Sequence, residues 1–118
     1  MIKILLALLL AIMSADVVKP HGSLRVNPRM GHAPVDVLAI MLIVNPGQLL
    51  YCSDLTWDWG NGTRSFHSAD CDPTEAIPVR WVESRRHVYG VPGEYIITVS
   101  LSKSGRVITQ LRTNILLM

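Results

Sequence analysis

Charge is scarce in this sequence. Asp, Glu, Lys and Arg make up 17% of 118 residues and leave a formal net charge of +2. The eleven Lys and Arg residues are scattered. No basic stripe with interleaved aromatics appears, which removes the electrostatic footing of a nucleic-acid binder. Internal repeats and low-complexity tracts are absent, so a solenoid or a disordered tail is excluded. No apolar run approaches the roughly twenty residues that a membrane-spanning helix needs. Catalytic framing is missing too. Ser53, Ser68, His67, His87 and Asp58 are the raw material of a nucleophilic site, yet no G-x-S-x-G elbow presents any of them. Cys52, His67 and Cys71 with Asp70 or Asp72 contain no C-x-x-C or H-x-x-x-H pair for zinc. Asp70 and Asp72 are also few for a calcium ion that wants six to eight oxygens. These gaps point away from an enzyme, a cofactor or a metal.

What is present begins with an export pattern. Lys3 precedes the apolar run "ILLALLLAIM", Ile4 to Met13, and small Ser14 and Ala15 stand before Asp16. Residues 1–15 read as a signal peptide cleaved after Ala15, with an uncleaved membrane anchor as the alternative, and 16–23 as a linker. The expected location is therefore secreted or periplasmic. In that oxidising setting the two cysteines, Cys52 and Cys71, are expected to pair. Such a bridge closes a loop of about twenty residues and contributes on the order of 3 kcal/mol.

From residue 24 onward the chain reads as strands and turns. "LRVNPRM", Leu24 to Met30, suits an edge strand because of Pro28. "VDVLAIMLIV", Val35 to Val44, is a β-branched-rich run bounded by turn signals. "LTWDW" precedes Asn61-Gly62, a tight-turn signal, and "TRSFH" leads away to a loop through Asp70, Cys71, Asp72 and Pro73. "VRWVESRRHVY", Val79 to Tyr89, is extended, and Gly93 in "GVPGE" supplies the positive φ of a type II turn. "YIITVSL" and "RVITQLRTNILL" flank a hairpin connection. Period-2 spacing puts Tyr95, Ile97, Val99 and Leu101 on one face, and likewise Val107, Thr109, Leu111, Ile115 and Leu117. Gln110, Arg112 and Asn114 then face water. About seven short strands and no amphipathic helix indicate an all-β, antiparallel sandwich.

Trp57 and Trp59 lie two apart and share a strand face, an arrangement that favours core; each would bury roughly 200 Å². "WDWGNGT" resembles the W-D-F-G-D-G-T signature of the polycystic-kidney-disease (PKD) domain. "HVYGVPGEYIITVSL", His87 to Leu101, is similar to that family's H-x-Y-x-x-P-G-x-Y-x-V-x-L signature, and the likeness extends over residues 24 to 118. The resemblance implies an immunoglobulin-like β-sandwich of a bacterial exported type that binds, adheres or spaces. Its fold signature maps onto Trp57, Asp58, Trp59, Gly60, Gly62, His87, Tyr89, Pro92, Gly93 and Tyr95, the last as a tyrosine corner. Two departures stand out. Asn61 replaces the family's Asp, and Ile97 occupies the place of an antibody domain's second cysteine, so the Cys52–Cys71 bridge is a local staple.

One strand breaks the sandwich pattern. Val35 to Val44 is apolar on both faces, so Leu38, Ile40 and Leu42 form a candidate partner surface on what should be a wet side. The expected occupant is a protein, a cell-surface glycan or a second copy of the chain. Membrane contact is expected only through an uncleaved signal segment. The competing reading is a carbohydrate-binding module that stacks sugars on Trp57, Trp59 or Trp81. A third is a subunit of an envelope assembly.

Overall fold

The computed structural model describes residues 19–72 and 74–118. The expected signal peptide (1–15), the first residues of the expected linker and Pro73 lie outside them. The described chain is all-β and forms two sheets. Strands β1 (His21–Asn27), β3 (Val35–Val44) and β6 (Arg80–Tyr89) make an antiparallel sheet in the order β1-β3-β6. The second sheet runs β2-β8-β7-β4-β5, from β2 (Met30–Gly31), β8 (Arg106–Leu117), β7 (Gly93–Lys103), β4 (Asp54–Asp58) and β5 (Arg64–His67). Within it only β2 lies parallel to its neighbour, β8. A single helical turn, α1 (Gly47–Leu50), follows β3.

Alternation decides which side chains meet between the sheets. β3 contributes Val37, Ala39, Met41 and Ile43, and β7 contributes Ile97, Val99 and Leu101, all buried. β4 adds Leu55 and Trp57, and Trp59 follows directly. At one side the sheets close upon each other: a side chain at Gly22 in β1 would run into Leu111 of β8 and Ile43 of β3.

Four expectations change. The linker is shorter than residues 16–23, because His21, Gly22 and Ser23 already pair with Val44, Ile43 and Leu42. The single edge strand Leu24–Met30 is really two: β1 ends at Asn27, and beyond Pro28, which has no N–H to donate, the chain crosses to the other sheet as β2. The described residues hold eight strands rather than seven. Val107 points to water, not to the core. A bulge between Leu101 and Ser102 pairs Leu101 with Thr109 but Ser102 with Val107, and the extra residue inverts the facing of everything beyond it. Gln110, Arg112 and Asn114 are exposed.

Candidate functional site

The two signature segments, thirty residues apart along the chain, come together at one end of the core. Trp57 and Trp59 stack at 5.9 Å, and Trp59 stacks on His87 at 4.7 Å with planes 10° apart. His87 meets Tyr89 edge-on at 4.7 Å, and Tyr89 leans on Tyr95 at 4.5 Å. Trp59, Tyr89 and Tyr95 each spend their polar tips on a hydrogen bond. The Trp59 indole N–H donates to Ser65 Oγ at 3.0 Å, and the buried Tyr89 hydroxyl donates to the Trp59 carbonyl at 2.7 Å. Burial pushes the Tyr89 phenol well above its usual pKa. The Tyr95 hydroxyl folds back onto the Val91 carbonyl, and Pro92 lies in the segment it closes.

Beside this ladder the Asp58–Thr63 turn is held by its own side chains. Asp58 Oδ1 accepts the Gly60 N–H at 2.9 Å, and its other oxygen lies 3.4 Å from Arg64 Nε. Gly60 has φ 77°, and a Cβ there would collide with the Ile96 carbonyl, so only glycine fits. Asn61-Gly62 does not form the expected two-residue turn. Five residues separate the last ladder pair, Asp58–Arg64, and the loop is closed by the Trp59 N–H on the Thr63 carbonyl. The reason is the Asn61 side chain. Its carbonyl oxygen accepts from the Thr63 N–H and hydroxyl, which leaves its amide to reach His87 Nε2 at 3.2 Å. Nε2 is then the acceptor of a neutral ring, and burial lowers the His87 pKa in the same sense. Gly93, at φ 158°, is far from the about +80° of a type II turn. It is small because the Tyr95 ring lies over it, 3.3 Å from where a Cβ would stand.

No tryptophan is free to stack a sugar. Trp57, Trp59 and Trp81 are 1%, 0% and 9% exposed, so the platform built on them is corrected. The physical cause is position: Trp57 and Trp59 point between the sheets, and Trp81 packs edge-on against Tyr51 while donating to Glu83.

Cys52 and Cys71 form a disulfide with Cα atoms 6.1 Å apart, and among the described residues no cysteine is free. It ties the end of the α1 segment to the loop after β5, beside a cleft of about 170 Å³ that His67, Asp70, Trp81 and Glu83 help to line. Ser53, buried nearby, spends its hydroxyl on the Leu50 carbonyl at 2.7 Å. Among the described residues no group of three or more His, Cys, Asp or Glu is gathered for a metal, and no helix is long and apolar enough to cross a membrane.

The outer face of the three-stranded sheet is the remaining candidate. Leu38, Ile40 and Leu42 run down its middle, half-buried. Register sets Arg25 and Ser84 beside Ile40, and Arg86 beside Leu38. Val82, opposite Leu42, and Val88, opposite Asp36, are exposed. The result is an aliphatic ridge with arginines on both sides and one carboxylate, Asp36, which is paired with Arg86 at 3.3 Å. Sequence reasoning found the ridge but not its arginine and valine borders. Alternation in β6 carried that signal, but only the pairing with β3 shows which alternate set lies beside Leu38 and Ile40. Residues 21–23 of the expected linker do not cover this face, since they stand beside β3 as part of β1.

Comparison with family models, with curated protein sequences and with solved structures finds no significant match to this chain.

Proposed function

We propose that the chain is an exported, non-catalytic module, immunoglobulin-like and of the PKD type, that binds a protein partner through the outer face of the β1-β3-β6 sheet. The observation that carries the family reading is the meeting of its two signature segments in one ladder, Trp57–Trp59–His87–Tyr89–Tyr95. The strand order supports it: three strands stand opposite a sheet whose middle members are the third and the last two long strands, as in immunoglobulin-type sandwiches. The binding reading rests on the aliphatic ridge between arginines, a composition suited to an interface core with a polar rim. An acidic or mixed protein surface matches it better than a neutral glycan.

Ile40→Lys tests the surface. Ile40 points away from the core, so the variant should melt within a few degrees of the parent while losing capture of its partner from the native envelope or secreted fraction. Unfolding of the monomer by this change would make the ridge ordinary core and end the docking reading.

A further inference from the structure

The two edge strands of the three-stranded sheet, β1 and β6, each pair with β3 alone, and β1 lies close to β8 of the other sheet at Gly22. Strand β5, at the neighbouring edge of the second sheet, is only four residues long. β6 is ten residues long, and among the described residues its backbone bonds to no strand or loop except β3. A strand of that length offers a row of unused N–H and C=O groups, a template for another strand. Natural edges are usually blunted by charge. The charges on β6 are instead arranged in a pattern that suits the strand itself.

We infer that β6 pairs antiparallel with β6 of a second copy about a twofold axis at Ser84, joining two three-stranded sheets into one of six. Facing is the first constraint. With the axis perpendicular to the sheet, residues of the same alternate set must lie opposite each other. Trp81, Glu83, Arg85 and His87 belong to the inward set, and Val82, Ser84 and Arg86 to the outward one. An axis at Ser84 sets Glu83 opposite Arg85 of the partner subunit, and does so twice by symmetry. It also sets Trp81 opposite His87 of the partner subunit, and Val82 opposite Arg86 of the partner subunit. The neighbouring registers fail. An axis at Glu83 places two glutamates face to face, and one at Arg85 places two arginines face to face, both destabilising.

The monomer leaves these charges available. The ion pairs among the described residues are Arg64–Asp58 and Arg86–Asp36, and neither uses Glu83 or Arg85. Arg85 is exposed. Glu83 accepts one bond, from Trp81 Nε1 at 3.0 Å, through a single oxygen. This pairing does not depend on the partner assigned to the ridge. It would, however, double the ridge by placing two such faces side by side on a continuous sheet.

Sedimentation of the purified protein over a concentration series tests the inference. The parent should dimerise, and hydrogen exchange of the β6 amides should slow as concentration rises. Glu83→Arg and Arg85→Glu should each weaken dimerisation by roughly tenfold or more, since each puts like charges opposite at two symmetric places. An equimolar mixture of the two variants should associate, because each supplies the charge the other lacks, and the double exchange E83R/R85E should dimerise like the parent. Ile40→Lys should leave the dimer intact, which separates this result from failure of the ridge reading. A parent that stays monomeric to about 100 μM, a weak limit for specific pairing, with no change in β6 exchange, overturns the inference. So does a dimer indifferent to both single reversals.

Discussion

Trp57 shows how much one side chain can decide. It is 1% exposed, stacked on Trp59 and enclosed between the sheets. Trp57→Ala should cost about 3–5 kcal/mol, read as the shift of a urea midpoint with unchanged slope. Asp58→Ala should cost only about 1 kcal/mol, because its partners are the Gly60 N–H and an exposed arginine, and surface ion pairs contribute little. His87 makes a prediction about pH. Burial lowers its pKa below the 6.5 of a free histidine, so the unfolded chain binds a proton more readily than the folded one. Stability from the neutral ring is therefore complete above pH 6.5 and falls as pH drops below it toward the folded pKa. Denaturation midpoints should decline from pH 7 to pH 5, and His87→Gln should flatten that part of the decline. An equal decline in the variant would assign the effect to another group.

At the scale of elements, β1 is the informative case. Its first three residues pair with Leu42, Ile43 and Val44, and Gly22 lets Leu111 of the opposite sheet approach closely. Removing the chain through Ser23 should strip that ladder and lower stability by on the order of 2–3 kcal/mol. The fall should appear between a chain that begins at residue 19 and one that begins at residue 24. Thermal melts of the two truncations distinguish a strand from a dispensable linker. Equal melting temperatures would mean that residues 21–23 add nothing to the sheet.

For the molecule as a whole, the Cys52–Cys71 bridge is the long-range constraint. It spans 19 residues and anchors the loop between β5 and β6, which also carries the chain from one sheet to the other. A double Cys→Ser change should lower stability by about 3 kcal/mol, measured by chemical denaturation, and leave the emission of Trp57 and Trp59 in place, read in a Trp81→Phe background because Trp81 lines the cleft beside the bridge. A red-shifted emission would mean that the bridge organises the core rather than the loop.

Several features were legible in the residues alone, because they depend on local pattern. Period-2 alternation named the buried set of β7 and the wet set of β8, and the even cysteine count named the bridge. Trp57 and Trp59, two apart, fell on one inward face. Other features depended on pairing partners far away in the chain. The bulge that turns Val107 outward is invisible until β7 and β8 are laid side by side, since inserting one residue changes facing without changing composition. The hairpin at Asn61-Gly62 opened into a longer loop because the Asn61 side chain was claimed by Thr63 and His87, the latter 26 residues away. The arginine borders of the ridge and the open edge at β6 follow from sheet order. Sheet order is set by which strands bury the most surface together, and no single strand carries that information.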